Sequence, residues 1–210
     1  MVNFFNYFQI LCLVILAYVV VSKTIHFRLR KINPIAIGKG KGGLHKFIEF
    51  SFIVVYAFWI AEVIIYSLNI KTRLLPSFFH IELVNSLSMK IIGSVLLCLG
   101  VFMFVWAFLS FGYSWRVGID KNNPGKLVRG GIFTLSRNPI FTGFDIYYTG
   151  TFLINGTIIF LIITIFMVLN LHYQILQEEK FLMETYKQEY KDYCSSVKRY
   201  FTWRRLTGKL

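Results

Sequence analysis

The chain has 210 residues, of which 56% are hydrophobic, 18% aromatic and 16% charged. So little polar surface cannot cover a soluble domain of this size, which excludes a water-exposed globular fold and leaves a membrane protein. The formal net charge of +13 does not point to nucleic acid, because no Lys/Arg stripe with interleaved aromatics occurs outside the loops that flank apolar stretches.

In chain order, residues 4–21 form the first apolar stretch. It has no basic segment before it and no small-residue cleavage site after it, so it reads as a retained helix rather than a removed signal peptide. Residues 47–68 and 91–111 are the second and third. Each of the three approaches or exceeds the ~20 residues that a helix needs to cross ~30 Å of hydrocarbon. Residues 140–176 are too long for one span and are broken at Asn155-Gly156, a turn-forming pair, which predicts a helical hairpin. About five membrane helices result. From residue 175 the positions Leu182, Met183, Tyr186, Tyr190, Tyr193 and Val197 recur at helical spacing, with Lys180, Glu184, Lys187 and Lys191 opposite, and predict a C-terminal amphipathic helix. The fold class is therefore all-α, a polytopic membrane bundle in one domain over 1–210, with three spans in 1–111.

The 23 Lys and Arg fall between the apolar stretches: seven in residues 23–46, three in 71–90, five in 116–137 and eight from 180 onward. The excess alternates from one side to the other, as retention of positive loops in the cytoplasm would leave it. The expected topology has the N-terminus outside and the C-terminus cytoplasmic. Cys12, Cys98 and Cys194 have no paired spacing and support neither a disulfide framework nor a metal site.

The fourth span is short. Residues 139–154 extend only about 24 Å as a helix, so its start should sit slightly inside the membrane boundary. Asn138 is a suitable N-cap and Pro139 suits the first helical position. A sunken helix N-terminus offers free N–H groups and a positive dipole end to an anion. Glu178 and Glu179 lie on the apolar side of the following helix, where two carboxylates are expensive unless something positive meets them. The pair thus offers a site to a cation. A ligand that carries both an anionic and a cationic group would use both. Glu62 and Asp145 are acids within spans, explained either by function or by a hydrogen bond between helices. His172, near the end of the fifth span, is a candidate proton acceptor, with a structural role as the simpler explanation.

The run Arg137-Asn138-Pro139-Ile140-Phe141-Thr142-Gly143, followed after the hairpin by Glu178-Glu179, resembles the signature Arg-His-Pro-x-Tyr-x-Gly…Glu-Glu of small integral-membrane methyltransferases. These include the isoprenylcysteine carboxyl methyltransferases and the phospholipid N-methyltransferases. Asn138 stands for the His and Phe141 for the Tyr. Leu127-Val128 and Gly130-Gly131-Ile132-Phe133 are similar to the family's stretch lining the nucleotide, where glycines let backbone approach and Phe133 offers a ring face. The resemblance implies S-adenosylmethionine as cofactor, held in the half of the chain from 112 to 210 by Lys126, Leu127, Val128, Phe133, Arg137, Asn138, Pro139, Phe141, Glu178 and, with a weaker match, Glu179. It implies a lipophilic acceptor entering from the bilayer and membrane lipids as partners.

Gln174 occupies a place where the isoprenylcysteine enzymes carry an Arg that holds substrate, which disfavours a carboxylate acceptor. Arg116, beside Trp115, is a candidate for an anionic headgroup or a snorkelling anchor. Arg199 matches a basic position near the end of the family's tail and is a further candidate for holding substrate, with phosphate-level anchoring as its plainer role. The segment Tyr190-Lys191-Asp192-Tyr193-Cys194 is also similar to the end of membrane sterol reductases, which bind NADPH. A second reading is thus a reductase-like enzyme, and a third a non-enzymatic membrane module on the same fold.

Overall fold

The computed structural model describes residues 2–29, 43–111 and 126–202. Five α-helices occur among them: α1 (Val2–Leu29), α2 (Gly43–Ser67), α3 (Leu87–Ser110), α4 (Pro139–Asn155) and α5 (Ile158–Ser196). Four are long and apolar enough to cross a membrane, over Phe4–Leu29, Phe50–Ser67, Leu87–Ser110 and Ile158–Ser196. The fifth, α4, has 17 residues and spans about 26 Å, in keeping with the short fourth span that the sequence predicts.

Local chemistry sets the helix ends. Ser86 caps α3 by accepting a hydrogen bond from the Met89 N–H at 3.3 Å, which satisfies one donor that lacks an intrahelical partner. Pro139 opens α4, where a missing N–H costs nothing. At the hairpin, Gly156 has φ 68°, a left-handed conformation that only glycine takes without strain. Its carbonyl accepts the Leu83 and Val84 N–H groups at 2.6 and 3.0 Å, and Ile158 N–H bonds the Ile81 carbonyl at 3.1 Å. The α4–α5 turn is thus held by the loop before α3.

The closest helix pair is α3 with α4. Gly93 and Gly100 on α3 face Gly150 and Gly143 on α4. A Cβ at Gly93 would lie 2.7 Å from the Gly150 carbonyl oxygen, and one at Gly100 would lie 2.7 Å from that of Gly143. Bare backbone meets bare backbone along two turns on each helix. Around this seam, Trp59 of α2 packs edge-on against Tyr147 and Tyr148 of α4, with ring centroids 5.7 and 5.0 Å apart. Near the hairpin, Asn155 Nδ2 donates to Gln9 Oε1 at 2.7 Å and ties α4 to α1.

The predicted amphipathic tail is the continuation of the fifth span. Helix α5 has 39 residues, broken at Lys187, whose φ of 46° and ψ of −113° are not helical. Beyond that break Tyr190, Tyr193 and Val197 are buried, and on either side of it Lys180, Glu184 and Lys191 are exposed, as is Lys187 itself, as the periodicity requires. Apolar side chains around α1 and α3, among them Leu11, Tyr18, Val95 and Leu109, are exposed and form a surface suited to lipid.

Candidate functional site

The site is built from three segments. The first is the approach to α4. Gly131 takes φ 62° at the start of a short 3-10 turn, Gly131–Thr134, and a Cβ there would come 2.7 Å from Ser110 Oγ. Glycine lets this turn lie against the end of α3. Phe133 then goes inward: it is 4% exposed, its ring meets Phe111 edge-on at 4.8 Å, and its carbonyl accepts the Tyr193 hydroxyl at 2.6 Å. The expected open stacking face is therefore covered, because the nearest partners of this ring are other aromatic side chains. Leu127 and Val128 are half-buried against the same cluster, and Lys126 is exposed.

The second segment, residues 197–202, runs beside the first. Arg137 N–H bonds the Lys198 carbonyl at 3.0 Å, Thr202 N–H bonds the Leu135 carbonyl at 2.7 Å, and Ser136 Oγ bonds the Arg199 carbonyl at 3.2 Å. These backbone bonds bring Arg137, Asn138 and Arg199 together.

The third is α5, which supplies Glu179. Its Oε1 accepts from Arg137 Nη2 at 2.9 Å, Arg137 Nε at 3.3 Å and Asn138 Nδ2 at 3.0 Å. Its Oε2 accepts from Arg199 Nη2 at 2.8 Å and Nε at 3.0 Å. Arg137 and Glu179 side chains are each 11% exposed and that of Arg199 37%. Such charges are tolerated out of water only when both oxygens are fully met, and here they are. Burial works against the Arg137 charge, but its hydrogen bonds to Glu179 outweigh it and raise its pKa. Arg199 is raised by its hydrogen bonds to Glu179. Both stay cationic.

Asn138 departs from expectation. It stands at the N-cap position of α4, yet its side chain makes no cap bond. Its Nδ2 goes to Glu179 and, at 3.3 Å, to the Arg199 carbonyl. A sequestered carboxylate is a stronger acceptor than the alternatives, and it draws the amide away from the helix end.

These groups border an open cavity of about 560 Å³, lined by Arg137, Leu176, Glu179, Lys180, Met183, Glu184, Tyr190, Cys194 and Arg199. That volume is ordinary for a small-molecule site. Among the predicted residues, Arg137, Glu179 and Arg199 line it. Glu178 is half-buried and lies outside the lining, Pro139 is buried, and Phe141 packs on the main core. His172 Nδ1 lies 2.6 Å from the Tyr200 hydroxyl, and Gln174 Nε2 donates to Asn170 Oδ1 at 2.8 Å one turn back on α5. Arg116 lies outside the described residues. Glu62 is fully buried, and neither of its oxygens has a hydrogen-bond partner among the described residues.

Lys180, Glu184, Tyr190 and Cys194 were not predicted as site residues. Lys180 and Glu184 belong to the polar stripe of α5, and their i, i+4 spacing from Leu176 is the signal that could have placed them on one face. No group of three or more metal-ligating side chains occurs among the described residues. No curated protein is matched by the chain. Residues 88–189, from the first turn of α3 to the far part of α5, match the phospholipid methyltransferase family model, so just under half of the chain is similar to that family of integral-membrane methyltransferases.

Proposed function

We propose that the protein transfers a methyl group from S-adenosylmethionine to a lipophilic acceptor that enters laterally from the bilayer. The observation that carries this reading is the cavity above the Glu179 node, whose rim sets Arg137, Lys180 and Arg199 beside Glu179 and Glu184. Cations and carboxylates on one rim fit a ligand that carries both charges. When bound, the cofactor supplies an activated methyl group on a sulfonium sulfur. Lys180 is free to meet its carboxylate and Glu184 its ammonium. Glu179, saturated by three donor side chains, holds Arg137 and Arg199 in register. The chain's contribution to rate is then chiefly proximity and orientation.

Gln174 is a neutral amide engaged with Asn170, and cannot give a carboxylate the bidentate, charge-assisted grip of a guanidinium. The acceptor is accordingly an aminophospholipid, thiol or phenol rather than the free carboxylate of a prenylcysteine. Detergent-solubilised protein tests both statements. S-adenosylhomocysteine at a hundred times its Kd should raise Tm by about 5–10 °C, with NADPH inert. A tritiated-methyl screen over the four acceptor classes should rank prenylcysteine last. Stabilisation by NADPH alone would return the reductase-like alternative.

The positive loops support an orientation with the N-terminus outside and the motif end cytoplasmic. Leu83, exposed beside the hairpin turn, provides the probe. In a background without native cysteines, Leu83→Cys should label only from outside and Lys198→Cys only after permeabilisation. Labelling of both from one side would overturn the orientation.

A further inference from the structure

Three titratable side chains take no part in the hydrogen bonds of the node: His172, Tyr200 and Asp145. His172 Nδ1 lies 2.6 Å from Tyr200 Oη, with the rings stacked at 6.2 Å between centroids. Asp145 of α4 has one oxygen, Oδ1, buried without a hydrogen-bond partner among the described residues. Tyr200 lies within electrostatic reach of Asp145, Arg199 and Glu179, and burial, then the Asp145 charge, raises its phenol. It therefore stays protonated. These groups also share a level in the fold. Asp145 is six residues beyond Pro139 and His172 seven before Glu179, which puts both about 10 Å from the node along their helices. On α5, His172 stands one turn before Leu176 and so extends the stripe 176, 180, 183 that lines the cavity. His172 thus lies on the membrane side of the α5 residues that line the cavity, on the same helix face.

A carboxylate oxygen sunk in a span without a partner calls for a cation, and a ring nitrogen 2.6 Å from a hydroxyl is placed to take that hydroxyl's proton. We propose that Tyr200 and His172 form a proton relay for an acceptor that arrives protonated, with Asp145 holding its positive charge. This rests on the methyl-transfer reading. For a lipophilic amine, an ammonium proton passes to Tyr200 Oη as the phenolic proton passes to His172 Nδ1, leaving a neutral amine and an imidazolium. The amine lone pair then forms the N–C bond as the S–C bond breaks with its electrons to sulfur. Tyr200 is the residue in contact with the acceptor, and His172 acts through it.

The simpler role for the same contacts is a strut tying residues 197–202 to α5. Tyr200→Phe keeps the ring stack and removes the hydroxyl, so it separates the two. With the full-length chain in lipid nanodiscs, transfer to dodecylamine at pH 7.5 should fall about 100-fold. It should recover above pH ~10, where an alkylamine loses its proton unaided. Transfer to dodecanethiol at a pH where it is ionised should change less than threefold. Equal losses on both acceptors, or no loss on either, would overturn the relay. A second measurement does not need turnover: with S-adenosylhomocysteine bound, dodecylamine should shift the His172 imidazole nitrogen signal, assigned with His172→Gln, toward the protonated form in the wild-type chain but not in Tyr200→Phe. If no acceptor is methylated, the methyl-transfer reading fails and this signal alone decides. An unmoved imidazole sinks the relay.

Discussion

Glu179→Ala is expected to destabilise the protein by about 3–5 kcal/mol and to abolish binding of S-adenosylhomocysteine. Removing the carboxylate leaves the Arg137 guanidinium, 11% exposed, next to Arg199 with nothing between them, and breaking such a pair from one side costs far more than the pair's net worth. The loss is structural as well as electrostatic, since Asn138 loses its Oε1 acceptor too. Glu179→Gln keeps one acceptor oxygen and turns a donor toward a guanidinium, so it should fall between wild type and Ala. Glu178→Gln, outside the cavity lining, should change affinity less than about threefold. Thermal denaturation followed by tryptophan fluorescence gives the stabilities, and isothermal titration gives the affinities. A Glu179→Ala chain that melts like wild type and still binds ligand would remove the node from the centre of this account.

Gly150→Ala should cost about 3 kcal/mol, read as a fall in Tm of about 6–12 °C. Its Cβ would sit 2.6 Å from the Gly93 carbonyl oxygen and 3.0 Å from the Leu97 nitrogen. Both are backbone atoms of a packed helix. Neither can rotate away, so α3 and α4 must separate along the seam and give up contacts on either side. Gly130→Ala is the matched control: a Cβ there has nothing within 4 Å, and Tm should stay within about 2 °C of wild type, the equivalent of roughly 0.5 kcal/mol. If the two variants melt together, the glycine seam does not determine the helix spacing.

Much of this architecture was readable because it is local. The Asn155-Gly156 turn, the proline-opened short helix and the alternation of basic loops each depend on a few adjacent residues. The two motifs also pointed to one site, since Arg137 and Glu179 do meet. What escaped the sequence is pairing between distant segments. Arg199 was read as a substrate-binding candidate or an interfacial anchor, and nothing near it reveals that strand-like backbone bonds to Leu135 and Arg137 bring it onto Glu179. The glycines at 93, 100, 143 and 150 recur every seven residues on two helices, but that spacing has meaning only once α3 and α4 are known to be neighbours. Asn138 was assigned correctly to the helix start and wrongly to capping, because the competing carboxylate comes from 41 residues away. Phe133 was read as offering a ring face for stacking, and its burial escaped for the same reason: its edge-on partner, Phe111, lies 22 residues earlier in the sequence.

The node is supplied in the order Arg137, Glu179, Arg199, and this has a bearing on biosynthesis. A nascent chain inserts α4 with Arg137 already present at its foot, while the carboxylate that neutralises it is still inside the ribosome. The helices can enter the bilayer one after another, but the motif end cannot lock until residues 197–202 have emerged and folded back past the break at Lys187. Insertion and completion of the site are thus separate events in time. During that interval the half-built end exposes an uncompensated guanidinium, a local disorder that membrane quality-control proteases could distinguish from the finished protein.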